Sequence, residues 1–258
     1  MAHRVVVAAA ALLIALIAAD PAVAGPVRIG LLGSSDMTPV ASALDQVGLP
    51  HEQLDAGQLP GRDPGSLDVL FIAYDVFDQD SSGAAGAAPI QWLARFRAAG
   101  GVLCTFYTVP PALQELLGIR QGAYLRQQYE GQFAAIHSMG VIPFLPADAA
   151  QRSGNIITAA PLGDSVRVVA DWYDQTGKDT GYPALLLGPG GVHLTHVLFG
   201  EDPDATARLY TALLGHFRPE VWRQAVTGAL RAAHSAASHS RDRPGSGGGA
   251  SPAAAAES

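Results

Sequence analysis

The sequence predicts an α/β domain built on a parallel sheet with helices on both faces, and three observations carry that reading. Short continuous apolar runs recur at residues 26–33 (PVRIGLLG), 67–75 (LDVLFIAYD) and 101–109 (GVLCTFYTV). A stretch with helical spacing follows each of the first two, as strands buried on both sides of a parallel sheet require. From 120 to 200 the pattern changes to several β segments joined by Gly and Asp turns, so a β-rich region is inserted into the α/β frame.

The elements follow in order. The run at 26–33 ends in Gly33 and gives way to SSDMTPVASALDQVG, where Val40, Ala43, Leu44 and Val47 share one helical face and Ser35 or Asp36 offers an N-cap. HEQLDAGQL is a weak second strand and loop. The third run closes on Tyr74 and Asp75, and IQWLARFRAAGG then spaces Ile90, Leu93, Ala94 and Arg97 as a helix stopped by Gly100-Gly101. GVLCTFYTV is the next strand. PALQELLG is a short helix with Pro in its first turn. In the inserted region the segments YLRQQYEGQFAAIHS, NIITAAPL, SVRVVADWYDQTG, YPALLLGPGG and VHLTHVLFG read as strands, with 174–177 (DQTG) as a hairpin tip. Two amphipathic helices, over 204–217 and 219–233, complete the domain, the second with Trp222, Ala225, Val226, Ala229 and Leu230 as an apolar stripe.

The two ends are of a different kind. Arg4, an apolar run over 5–19 and Ala22-Val23-Ala24 form the layout of a secretory signal peptide cleaved after Ala24, which predicts a secreted or periplasmic protein with no transmembrane segment after cleavage. The domain is expected over 25–233. Residues 234–258, an Ala/Gly/Ser/Pro tail, have nothing to bury and are expected to be disordered. One Cys in 258 residues allows no internal disulfide, so the apolar core must hold the fold. The formal charge of −7, without a basic stripe, argues against nucleic acid as a partner.

The chemistry is expected at the C-terminal ends of the strands, where right-handed crossovers place the functional edge of such a sheet. Cys104 lies inside its strand between Leu103 and Thr105. Its neighbours are apolar, which predicts a core thiol and not a nucleophile. The turn that follows brings Tyr107 and Thr108 to the edge. His193 and His196 stand at an odd offset in one strand-like segment, so alternation sends them to opposite faces and no shared metal is expected. His196 is nearer the edge, with Glu201 and Asp202 beyond it, and is the candidate general base with Glu201 to orient it. Ser34 and Asp75 end the first and third strands, and with Tyr107, Thr108 and His196 they make up the predicted ligand-binding set. Asp78 adds a second carboxylate there, and Tyr129, Glu130, Gln132 and Phe133 form another mixture suited to sugar rings. The first turn, GSSD, is neither G-x-G-x-x-G nor a P-loop, and no cofactor is expected.

GGVLCTFYTVPPALQELLGI, YEGQF, DWYDQTGKDTGYPALLL and LTHVLFGED resemble the N-terminal domain of exported bacterial glycosyl-hydrolase-like family 10 proteins. The resemblance covers residues 26–230 and implies a flavodoxin-like three-layer sandwich, that of the class I glutamine amidotransferases. It places the family's nucleophile elbow near Tyr107-Thr108, which carry no Cys and no flanking Gly. It makes His196 the counterpart of the catalytic His, with Val197-Leu198 where Pro-Glu would follow. What it implies is a retained fold without the glutaminase nucleophile: an exported, non-catalytic carbohydrate-binding or accessory domain for a carbohydrate such as cell-wall glycan. The alternatives are a hydrolase using His196, or an interaction module for a separate glycosyl-hydrolase-like barrel with Trp222 and its helix as the docking surface. In the resembled proteins a barrel of about 250 residues follows this domain. The Ala/Gly/Ser tail stands in its place here, so a stand-alone form or an interrupted reading frame is expected.

Overall fold

The computed structural model describes residues 25–33, 37–77, 84–197 and 200–241. The expected signal peptide, Ser34, the proposed caps Ser35 and Asp36, Asp78 and everything from 242 onward lie outside the described residues.

In chain order the elements are β1 (Ile29–Leu32), α1 (Thr38–Gln46), β2 (His51–Leu54), two short 3-10 turns, β3 (Val69–Ile72), α2 (Ala84–Ala98), β4 (Val102–Phe106) and α3 (Pro111–Leu117). The inserted region supplies β5 (Ile119–Arg126), β6 (Phe133–Ser138), β7 (Asp148–Ser153), β8 (Asn155–Pro161), β9 (Arg167–Tyr173) and β10 (Asp179–Gly188). Then come β11 (Gly191–Leu194), α4 (Pro203–Phe217) and α5 (Glu220–Arg241). Nine strands form one sheet in the order β2-β1-β3-β4-β11-β10-β9-β6-β7, and β5 and β8 form a separate antiparallel ribbon. From β2 to β11 the strands are parallel. From β11 through β7 they are antiparallel.

The parallel half has the 2-1-3-4-5 order of flavodoxin-like sheets, with β11 as its fifth strand. Side-chain alternation builds the three layers. Ile29, Leu31, Val69, Phe71, Cys104, Phe106, Val192 and Leu194 pack with α1 and α4. Leu32, Leu70, Ile72 and Leu103 pack on the other face with Trp92, Leu93 and Phe96 of α2 and Leu113 and Leu117 of α3. The inserted strands extend the first core with Phe133, Val169 and Trp172.

Local details depart from the sequence reading. α1 starts after Met37, which makes no side-chain cap bond. In α2 the buried large side chains are Trp92, Leu93 and Phe96, while Ala94 is exposed, because the aromatic rings and not the small residues fill the space beside the sheet. β7, with its sequence DAAQRS, was not expected; its polar composition hides an alternation in which Ala149, Gln151 and Ser153 are buried. α5 continues to Arg241, past the boundary at 233. Its stripe is divided: Trp222, Ala225 and Val226 are half-buried against the domain, and only Ala229 and Leu230 are exposed. Among the described residues no helix is long and apolar enough to cross a membrane.

Candidate functional site

The site is built where β4 ends. Phe106 is the last strand residue, and Tyr107 turns the chain at a φ of 55°, in the left-handed region that a bulky side chain rarely occupies. Pro110 and Pro111 then start α3. A strand, a residue at positive φ and a helix make the backbone of a nucleophile elbow. Here the elbow presents a phenol.

A buried polar network holds that turn in place. Thr105 and His193 sit side by side on β4 and β11 in parallel register, Oγ1 to Nδ1 at 2.9 Å. The His193 Nε2 lies 3.1 Å from the Gln121 Nε2, and the same amide nitrogen donates to the Tyr107 carbonyl. Gln121 Oε1 accepts from the Val109 N–H at 3.0 Å, and Gln114 Oε1 accepts from the Gln121 N–H at 2.9 Å. One tautomer satisfies every group: His193 carries its proton on Nδ1, and Nε2 accepts from Gln121. Burial pushes His193 down to about 3, so the ring is neutral at physiological pH.

Above the network lies an aromatic cluster. The Tyr107 ring meets Tyr74 edge-on with centroids 5.6 Å apart, and His196 at 5.3 Å. Thr108 Oγ1 donates to the Tyr74 carbonyl at 3.5 Å. The Tyr107 hydroxyl donates to Asn155 Oδ1, at the start of the β5/β8 ribbon, at 2.7 Å. Burial, then Tyr124 and Tyr74, raise the Tyr107 phenol above its ordinary value and keep it protonated. An activated nucleophile needs a base within hydrogen-bond reach. Tyr107 has an amide oxygen there, and His196 touches its ring. His196 Nδ1 lies 2.7 Å from the Val197 carbonyl, and burial lowers its proton affinity despite that bond.

Cys104 points the other way. It is 1% exposed, in the core with Tyr210 of α4, and burial pushes its thiol far up. The remaining predicted residues divide into two groups. Thr108, Tyr107 and His196 come together, with Tyr74 linking them to Asp75. Asp75 itself lines a cavity of about 280 Å³ with Gly33, Leu54, Asp55, Ala56 and Val76, at the β1/β3 switch point of the sheet. Glu201 pairs with Arg152 of β7, Nε to Oε2 at 3.3 Å. Asp202 caps α4 through the Ala205 N–H. Tyr129 donates to Asp174 at the β9/β10 tip, away from this cluster in the chain's hydrogen bonding. Sequence reading missed Gln121 and Asn155. They lie 14 and 48 residues from Tyr107, and no local pattern marks them.

No family model and no curated protein matches the chain. Among solved structures it is similar to alpha-L-fucosidase isoenzyme 2 from Paenibacillus thiaminolyticus, with TM-score 0.55, 12% identity, and coverage of 74% of this chain and 33% of the fucosidase. It is also similar to a Thermoplasma acidophilum protein described as a GMP synthase subunit, with TM-score 0.50, 8% identity, and 76% and 96% coverage. A glutamine amidotransferase from Thermotoga maritima aligns at TM-score 0.47 and 12% identity over 81% of this chain and 98% of its own. The fold is a flavodoxin-like three-layer sandwich with an inserted β-rich region, shared with the Thermoplasma protein. This chain spans about a third of the fucosidase's length.

Proposed function

We propose that the protein is an exported, non-catalytic carbohydrate-binding or accessory domain related to glycosyl-hydrolase-like proteins. The observation that supports it is the elbow: its nucleophile position carries Tyr107, protonated and bound to an amide, inside a cluster of Tyr74, His196, Thr108 and Asn155. Aromatic faces beside amide and hydroxyl groups suit sugar rings, which present both apolar C–H faces and hydroxyls. The ligand is a neutral glycan, cell-wall glycan among the first to try, bound at the β4/β11 edge. In a glycan-array and calorimetric screen of the chain starting at Gly25, Tyr107→Ala weakens binding about tenfold, the 1.4 kcal/mol scale of one lost aromatic contact. No glycan bound, or Tyr107→Ala binding unchanged, overturns the reading. Turnover of esters, amides or glycosides that vanishes in His196→Ala would replace it with a hydrolase. Export is checked by the mass of the secreted chain, expected to begin at Gly25.

A second reading has its own support. In the fucosidase this fold makes up about a third of a longer chain. On that reading the domain serves a separate glycosyl-hydrolase-like partner through Trp222 and α5, and co-purification lost in Leu230→Glu tests it.

A further inference from the structure

The β5/β8 ribbon carries a shift in its pairing. Gln121 pairs with Ala159 and Tyr124 with Ile157, and between these pairs Gly122 and Ala123 stand opposite Thr158 alone. β5 therefore holds one extra residue there, a β-bulge. The bulge is built in. Thr158 Oγ1 donates to the Ala123 carbonyl at 3.2 Å, and a Cβ on Gly122 would come within 2.5 Å of that hydroxyl oxygen.

Its consequence is the direction of one side chain. Gln121 and Tyr124 are three residues apart, and in a regular strand they would lie on opposite faces. Paired residues of an antiparallel ribbon share a face, and Ala159, Ile157 and Asn155 occupy every second position of β8. The extra residue thus puts Gln121, Tyr124 and Asn155 on one face. That face meets the Tyr107 turn: Gln121 Nε2 donates to the Tyr107 carbonyl, and Asn155 Oδ1 accepts from the Tyr107 hydroxyl at 2.7 Å. Tyr124 is the diagonal neighbour of Asn155 across the ribbon, a separation of about 7–8 Å. Tyr107 is half-buried and its hydroxyl is engaged, but Tyr124 stands open. Of the most exposed aromatic rings among the described residues, Phe144 leans on Trp222 and Tyr129 donates to Asp174. Tyr124, 55% exposed, has neither kind of partner among them. A bulge that re-aims a ring to the rim of a site and leaves it uncovered presents a flat apolar face to something outside the chain.

We infer that Tyr124 is a second sugar-stacking position beside the Tyr107 cluster, so that the site takes neighbouring units of one linear oligosaccharide and not a lone monosaccharide. This rests on the carbohydrate reading above and names the ligand class within it. The Tyr107 cluster and the Tyr124 ring are separated by the width of the ribbon, so one sugar ring cannot lie against both. A chain laid across the ribbon covers the two in turn, with the Asn155 amide between them to meet its hydroxyls.

The test is calorimetric titration of the chain from Gly25 with glucose, N-acetylglucosamine and the β-1,4-linked dimers and trimers of each. The trimer of the series that binds is expected to bind about tenfold tighter than its monomer. Tyr124→Ala loses that gain and Tyr124→Phe keeps it, because the ring face and not the hydroxyl does the stacking. Phe144→Ala, which removes an equally open ring elsewhere, leaves the gain unchanged. A second measurement needs no variant: the trimer slows nitration of Tyr124 by tetranitromethane in the wild-type chain and does not slow that of Tyr129, both read by peptide mass. A trimer bound no more tightly than its monomer, a gain kept in Tyr124→Ala, or Tyr124 nitrated at the same rate with trimer present overturns the inference and leaves the carbohydrate reading standing. No binding by any member of either series overturns it together with the reading on which it rests.

Discussion

Every residue of β1, β3, β4 and β11 is buried, whereas β6, β7 and β9 of the antiparallel half alternate buried with half-exposed or exposed positions. These four parallel strands lie between two helix layers, so both their faces must be apolar. The inserted strands share one face with the core through Phe133, Val169 and Trp172 and turn His137, Asp148 and Asp171 away from it. The polar groups at the candidate site come from the ends of the parallel strands and from the ribbon laid across them. What was inserted supplies Gln121 and Asn155, which hold Tyr107 in its turn. The difference teaches that the parallel frame sets the position of the edge, and the insertion decides what stands on it.

The largest expected effect falls at the seam. Gly191 opens β11 at a φ of 151°, and a Cβ there would sit 1.9 Å from the Leu103 carbonyl oxygen. Gly191→Ala is expected to cost about 4 kcal/mol or more in chemical denaturation, since backbone cannot yield as a side chain does. Next come Phe71→Ala in the parallel half and Trp172→Ala in the inserted half. Both side chains are fully buried in one continuous core, and Trp172 also donates to Thr195 at 2.8 Å. Each substitution should cost about 3–5 kcal/mol and leave a single unfolding transition. Two separate transitions would show that the halves are independent units.

Acid separates the halves by window. His193 is held neutral by the fold, while in the unfolded chain it takes up a proton below about 6.5. The unfolded state therefore binds more protons between 6.5 and 3, and this stability is fully present above 6.5 and lost as pH falls toward 3, at a slope of at most about 1.4 kcal/mol per pH unit. In the inserted half Asp174 accepts from Thr176 Oγ1 at 2.6 Å, the Lys178 and Thr176 N–H groups and the Tyr129 hydroxyl, which hold its carboxyl well below the ordinary range. Its contribution is present above the ordinary carboxylate range and is lost only below it. Melting curves against pH should flatten in the upper window for His193→Gln and in the lower one for Asp174→Asn. The reverse assignment would break the comparison.

The smallest effect is expected at the outer strands. His137 and Asp148 pair at 2.7 Å between β6 and β7, but both are largely exposed. Asp148→Asn should change stability by about 0–1 kcal/mol and by less at high salt. Cys104 offers a readout with no substitution: alkylation in native buffer should be negligible and should appear only with unfolding.

Much of this was legible in the residues. Continuous apolar runs of four or five residues, helical spacing between them and the change of pattern after 120 specify the α/β frame, because burial on two faces or on one leaves a local period in the sequence. The placement of Cys104 followed from the same logic, and so did the turn at Tyr107 before two prolines. β7 escaped because Ala, Gln and Ser at its buried positions carry no hydropathy signal. The aromatic face of α2 was misjudged because spacing alone does not say which of two adjacent stripes meets the sheet.

Strand order and long-range pairing were decided only in three dimensions. That β11 lies beside β4 puts His193 against Thr105, 88 residues away, and brings His196 to Tyr107. That the ribbon crosses this edge puts Asn155 on the Tyr107 hydroxyl. Period and polarity are properties of neighbours along the chain, so sequence alone determined them. Which strand pairs with which depends on closing loops and filling one shared core, a balance over the whole chain that no single segment records.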